Sequence, residues 1–398
     1  MDKKIKMRYP LYLSEFKCIG GNCEDSCCIG WDVDIDKTSF RRYYKVKNIE
    51  MKRLFQKNIH FNDNYFSEDV DYGRVKLKDG KRCPFLDLEN YCIIYSNIGQ
   101  DYLSNVCTSF PRTTNIVDGI YEMSLDVACP EASRIILLKE EGIQFKENEV
   151  TLGKHIVSGE IDTKSKQANK SSLKYFNQIR ELCIRIIKNR KFELSQRFYI
   201  LGDFIENLEE ELEYNYGNVL KFIKQYDINS PASYYKKNKL NFIIQVEFLK
   251  NIINVSDLLK KIDSPSYREY TRGIIEAYKT NQNKYLQAFE DYTENFIKSN
   301  NYIFENYLVN FMYNYLFPFS ETKSIFDGYI MLLFRYSFIR FFLVGRYLNN
   351  KQESKENIVK FIQAFTKNIE HNKTYLVDVL NYIKENEFDN IEFAKTLL

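Results

Sequence analysis

The chain has 398 residues, with 57 Lys and Arg against 54 Asp and Glu, a formal net charge of +3. That length exceeds one ordinary hydrophobic core and points to two domains, while the near-neutral charge argues against a dedicated nucleic-acid scaffold. Gly (15) and Pro (7) stand at about half their usual combined share of roughly 12%, so the chain should be helix-rich and poor in glycine-lined phosphate loops.

The opening, Met1 to Phe16, carries basic residues but no apolar stretch of signal-peptide type, so we expect a cytoplasmic protein. Trp31-Asp32-Val33-Asp34-Ile35 alternates as a strand. Asp36 follows as the N-cap of a helix over Lys37–Lys45. Lys78-Asp79-Gly80 between 74–77 and 83–86 predicts a hairpin. Asp118-Gly119 between 114–117 and 120–125 predicts a second. Pro130 opens a helix that runs to about Glu140. From 146 the chain turns polar and loses its apolar period, and we read 151–171 as a linker or mobile loop. Beyond Ser172 the spacing is helical: first from Leu173 to Ile187, then over about 195–213, 239–261, 266–280, 284–298, 301–316, 321–348, 355–370 and 373–385. Tyr329 to Leu343 is the longest apolar run. Arg335 and Arg340 interrupt it and it is shorter than a membrane span, so we read a buried helix and no membrane association. The expected fold class is α+β: a small cysteine-rich α/β metal module over 1–150, then a mainly α-helical domain over 172–398.

Nine cysteines carry the chemistry. Cys18, Cys23, Cys27, Cys28, Cys83, Cys92, Cys107 and Cys129 crowd into the first third, and Cys183 stands alone on a helical stripe as a buried small hydrophobe. An odd total without an export signal argues against a disulfide framework. Eight clustered thiols exceed what scattered core positions explain, which leaves metal ligation. Zinc favours two short repeated knuckles, and none is present. Adjacent Cys27 and Cys28 point in different directions along most backbones and suit two metals, or two irons of one cluster, better than a single zinc. All-thiolate ligation serves iron–sulfur clusters and zinc alike, and the spacing leaves both open. The glycine-rich turn of a doubly wound cofactor-binding sheet, the P-loop and a CxxxCxxC triplet are all absent, and His60, His155 and His371 are too scattered for a histidine metal site.

The strings Phe16-Lys17-Cys18 and Cys23-Glu24-Asp25-Ser26-Cys27-Cys28-Ile29-Gly30-Trp31 resemble the N-terminal signature of bacterial flagellin lysine-N-methylases. Cys83-Pro84-Phe85-Leu86, Cys92, Cys107-x2-Phe110-Pro111-Arg112 and Cys129-Pro130-Glu131-Ala132 follow in that family's order. Glu305-Asn306-Tyr307-Leu308-Val309-Asn310 and Leu316-Phe317-Pro318-Phe319 are similar to its C-terminal region. The cysteine-rich half also resembles zinc- or iron-chelating cysteine-cluster proteins. The resemblance implies transfer of a methyl group from S-adenosylmethionine to lysine side chains of flagellin. It also implies an iron–sulfur cluster, of 4Fe-4S type, with zinc as the alternative metal and the eight clustered cysteines as candidate ligands. Trp31, Arg112 and Glu131 neighbour candidate ligands; packing and a local ion pair explain them equally well. The alternative reading is a non-catalytic metal-binding or redox-sensing protein with a helical partner-binding domain.

Overall fold

A computed structural model describes residues 4–151, 153–229, 241–255, 282–349 and 353–398. The helix expected over 266–280, and both ends of the one expected over 239–261, lie outside the described residues. The chain divides into two compact units, Met1–Ile135 with Gln144–Glu160, and Ile136–Ile143 with Ile161–Leu398.

The first unit is built on β1 (Lys4–Pro10), β2 (Asp34–Ile35), α1 (Lys37–Tyr44), α2 (Ile49–Asn58), β3 (Ile59–Phe61), β4 (Gly73–Val75), α3 (Ile93–Ile98), α4 (Asn105–Ser109), β5 (Arg112–Val117), β6 (Ile120–Leu125), α5 (Pro130–Leu137), β7 (Phe145–Thr151) and β8 (Val157–Ile161). Five strands form one sheet in the order β7-β1-β6-β5-β8, and β2-β4-β3 form a smaller one. The Asp118-Gly119 hairpin forms as its sequence directs. Both residues adopt left-handed angles (φ 51 and 77), the type I′ geometry whose twist matches the flanking strands. Asp36 caps α1 as expected, its Oδ1 accepting from the Ser39 amide at 2.8 Å.

Three expectations need correction. The alternation over 31–35 yields a strand only at Asp34–Ile35. Gly80 and Lys81 turn the chain (φ 69 and 53), but no second strand follows. Lys78 bridges Arg82, Arg82 bridges Ile29, and β4 takes β2 and β3 as its partners. Residues 83–86 instead run as an irregular segment that buries Cys83, Phe85 and Leu86 in the core around Tyr43, Met51 and Phe55. The stretch read as linker contains a strand: β8 at Val157–Ile161 borders β5, and just before the stretch β7 pairs with β1 along its whole length. These are the two edges of the sheet. Edge strands are commonly polar and lightly buried, which is why they carry no apolar period.

The second unit contains α6 (Phe176–Ile187), α7 (Leu194–Tyr214), α8 (Val219–Gln225), α9 (Asn241–Val255), α10 (Gln282–Tyr292), α11 (Lys298–Asn314), α12 (Ile325–Asn349), α13 (Lys355–Phe365), α14 (Lys373–Glu385) and α15 (Ile391–Thr396). A π-helical turn at Thr293–Ile297 joins α10 to α11, and another, Thr366–Glu370, follows α13. α8 and α15 are too short to show a period in the sequence. Among the described residues, α12 is the helix long and apolar enough to cross a membrane, and its apolar window is wholly buried in the fold. It reads as apolar all round because neighbours cover it on every side. The two arginines that interrupt its longest apolar run are accommodated. Arg335 Nη2 meets Glu321 at 2.7 Å, Arg335 Nε stands 3.2 Å from Glu370, and Arg340 Nη2 donates to the Leu397 carbonyl at 2.7 Å. Gly328 lets the segment before α12 lie against the helix: a Cβ there would sit 2.0 Å from the Pro318 carbonyl oxygen. Cys183 is fully buried on α6.

Candidate functional site

Local hydrogen bonding draws distant cysteine segments together. The Cys83 amide donates to the Cys28 carbonyl at 2.9 Å, and Leu86 bridges Cys92. The Ile93 amide then donates to the Phe85 carbonyl at 2.9 Å, so three cysteine-bearing segments form one knot. α4 brings Cys107 to the same place. Ser104 caps it, accepting from the Cys107 amide at 3.2 Å, and its hydroxyl donates to the Asp34 carbonyl. Asp36 Oδ2 accepts from the Asn105 amide at 2.9 Å, so one buried carboxylate holds the N-termini of both α1 and α4. Cys129 immediately precedes α5. Arg134 on α5 reaches Glu131 at 2.8 Å and Glu24 at 2.5 Å, which fastens the Cys23–Cys28 loop to that helix.

The electrostatics report which thiols face one another. Burial pushes Cys83 up to about 11 and Cys107 and Cys129 up to about 12, and it raises Cys23 and Cys92 as well. Backbone amides pull the other way: Phe85 at Cys83, Ile94 and Tyr95 at Cys92, Glu131 and Ala132 at Cys129, and Asp25 at Cys23. Neighbouring thiols add to the rise. Cys27 is among the neighbours that raise Cys83, Cys92, Cys107, Cys23 and Cys129.

Cys28 packs on the adjacent core. Cys18 is exposed. Among the described residues, no three His, Cys, Asp or Glu side chains stand close enough to hold an ion as they are. The donor chemistry nevertheless fits a thiolate-held group. Amides aimed at sulfur stabilise thiolates, Cys92 and Cys129 sit at helix N-termini, and bound cations would offset the repulsion among the thiols. Trp31, Arg112 and Glu131 have packing roles. Trp31 Nε1 donates to the Cys27 carbonyl and its ring meets Phe110 edge-on at 5.0 Å. Arg112 lies over the Phe16 ring, and Glu131 pairs with Arg134. Sequence reasoning missed Ser104, the second hold of Asp36 and the Arg134 clamp. Only the capping pattern Ser104-Asn105 offered a local signal.

The model of the FliB lysine N-methylase C-terminal domain matches residues 180–397, more than half of the chain. The chain belongs to the FliB lysine N-methylase family. The flagellar biosynthetic protein FliU of Salmonella muenchen is 32% identical over 136 residues, covering 34% of this chain and 79% of that protein. The lysine-N-methylases of Salmonella typhimurium and Salmonella choleraesuis are each 30% identical over 149 residues. Those alignments cover 37% of this chain and 36% of each methylase, so the chain spans little more than a third of their length. No solved structure matches.

Within the FliB-matched region, the Glu305-Asn306 pair has a structural role. Glu305 accepts from Arg190 Nη2 at 2.9 Å and from Arg197 Nη1 at 2.8 Å, with Glu305 and Arg197 both buried. Asn306 Nδ2 donates to the carbonyls of Lys139 and Leu137 and so secures residues 136–143 to α11.

Proposed function

We propose that the chain is a protein methyltransferase that transfers a methyl group from S-adenosylmethionine to lysine side chains of flagellin. The single observation that carries the reading is the FliB family match over 180–397; the FliU and lysine-N-methylase relatives support it. In the reaction a neutral lysine amine attacks the sulfonium methyl in line. The N–C bond forms, the S–C bond breaks, and S-adenosylhomocysteine leaves as a neutral thioether. The amine must first lose a proton, because free lysine has a pKa of roughly 10.4. A base or a desolvating environment at the amine meets that need.

In this reading the N-terminal unit holds an iron–sulfur cluster, with zinc as the alternative metal. Cys27, Cys83, Cys92 and Cys107 are the first candidates for its ligands, supported by their mutual electrostatic influence and by the amides directed at two of them. Such a group would tie together four segments of the unit. Reduced thiols suit a cytoplasmic setting. Free lysine should be a poor substrate, since it lacks the remote contacts that position the amine.

The test is direct. Anaerobically purified protein, S-adenosylmethionine carrying a labelled methyl group and flagellin of the same organism are incubated, and flagellin is read by mass spectrometry. Mass gains of one methyl unit on surface lysines are expected. Metal-loaded protein that neither binds S-adenosylmethionine nor labels flagellin would overturn the reading in favour of a non-catalytic metal-binding protein.

A further inference from the structure

The Cys23–Cys28 loop is held from two directions. At its far end the ties are backbone ones: the Cys28 carbonyl accepts from the Cys83 amide at 2.9 Å, and the Gly30 amide donates to the Lys81 carbonyl at 3.2 Å. At its near end a side chain reaches in from α5. Arg134 Nη1 donates to Glu24 Oε1 at 2.5 Å, across 110 residues of chain. The other two guanidinium nitrogens, Nε at 3.0 Å and Nη2 at 2.8 Å, both donate to Glu131 Oε2. That two-point contact with a residue three positions earlier fixes the plane of the guanidinium and aims its third nitrogen at Glu24.

Both carboxylates adjoin candidate metal-binding thiols. Glu24 follows Cys23 directly, and Glu131 stands two residues after Cys129. The amides of Glu131 and Ala132 are directed at the Cys129 sulfur, and Cys23 is among the groups that act on it. Glu131 therefore serves the site twice, by its amide at the sulfur and by its carboxylate against Arg134. The three side chains sit at the surface, with 36% of Arg134, 44% of Glu24 and 25% of Glu131 exposed. Exposed ion pairs add little to global stability. They do bias a local equilibrium, because a loop that swings away from a helix breaks only the contacts between them.

We propose that Arg134 is a positioning residue, a latch that keeps the Cys23–Cys28 loop closed on the helix that follows Cys129 and so sets how fast a thiolate-held metal leaves the unit. Thiols on both sides can hold one group only while the loop lies against α5, so release follows the population of the open form. The proposal rests on the reading of the N-terminal unit as a metal module, and not on methyl transfer.

The test is metal release from the full chain, purified anaerobically and mixed with excess chelator, followed by the absorbance of the iron or zinc chelate. Arg134→Ala and Glu24→Ala should each release metal about threefold to fivefold faster than the unmodified protein, with the thermal unfolding curve retained. The double variant should be no faster than either single one, since both act through one contact. Arg134→Lys keeps the charge without the planar fork and should fall in between. Raising the salt from about 0.01 M to about 1 M should narrow the gap between the unmodified protein and Arg134→Ala, because screening weakens the contact that the variant lacks. Glu147→Ala, which breaks the similarly exposed pair with Arg8 at 3.2 Å, should leave release unchanged. Unaltered release from Arg134→Ala, additive effects in the double variant, equal acceleration by Glu147→Ala, or acceleration matched by a fall in unfolding temperature would overturn the latch and leave the metal module standing. Purified protein without iron or zinc removes the metal module itself, and the latch with it.

Discussion

Glu305→Ala should be among the most damaging substitutions of a charged residue in the helical unit. Arg197 is 3% exposed and Glu305 1%, so the substitution leaves a guanidinium in the interior without its counter-charge. Breaking a buried pair from one side costs about 3–5 kcal/mol. Arg197 keeps two carbonyl acceptors, Phe192 at 2.8 Å and Ile187 at 2.9 Å, which sets the expectation near the lower end, about 3 kcal/mol. Arg190 makes a closer-knit contact with the same carboxylate, through Nε at 3.0 Å and Nη2 at 2.9 Å, yet its side chain is 44% exposed. Arg190→Ala should therefore cost only about 0–1 kcal/mol. Urea unfolding followed by far-UV ellipticity reads the difference. For an unfolding slope of about 2 kcal/mol/M, Glu305→Ala lowers the midpoint by about 1.5 M and Arg190→Ala by less than about 0.5 M. Arg197→Met in the Glu305→Ala background should recover more than half of the loss, because it removes the stranded charge. Equal midpoints for Glu305→Ala and Arg190→Ala would refute this reasoning.

Gly328→Ala should destabilise the same unit by about 1–3 kcal/mol or more, since the new Cβ meets the Pro318 carbonyl oxygen at 2.0 Å; the same urea titration measures it. Asp36→Ala should cost the N-terminal unit about 2–4 kcal/mol through two lost amide partners, followed by the fluorescence of Trp31, the only tryptophan. Single Cys→Ala variants purified anaerobically should rank by metal per chain, with Cys27→Ala losing most and Cys183→Ala none; full retention in Cys27→Ala would remove it from the ligand set. Iron and acid-labile sulfide are expected in the unmodified protein, and stoichiometric zinc without iron would overturn the proposed cluster.

What the sequence made legible was local. Asp36 as a cap and Asp118-Gly119 as a turn are decided within four residues, and both stand in the structure as their rules require. The Lys78-Asp79-Gly80 signal was equally local and did produce its turn. The strand after it failed because Arg82 finds Ile29, a partner that no short-range rule supplies. β7 and β8 were illegible because an edge strand with little burial needs no alternation. The crowding of thiols was visible in composition alone. Their influence on one another joins positions as far from Cys27 as Cys83 and Cys129, which no local pattern reveals. The Glu305-Asn306 pair entered only through the resemblance of 305–310 to the family's C-terminal region. Their partners, Arg190, Arg197 and the carbonyls of 137 and 139, lie more than 100 residues upstream.

β1 pairs with β7 from Lys4↔Thr151 to Pro10↔Phe145, and every one of the eight clustered cysteines lies between those strands in the chain. During synthesis the clasp cannot shut until residue 151 has left the ribosome. Closing so long a loop is also slow once the ends are available. Throughout that interval the thiols belong to an open, unclasped polypeptide, accessible to oxidants and to metal donors alike. Sheet closure therefore competes with oxidative damage in the newborn chain. A chain whose thiols had cross-linked wrongly before β7 arrived would carry the error inside a closed ring.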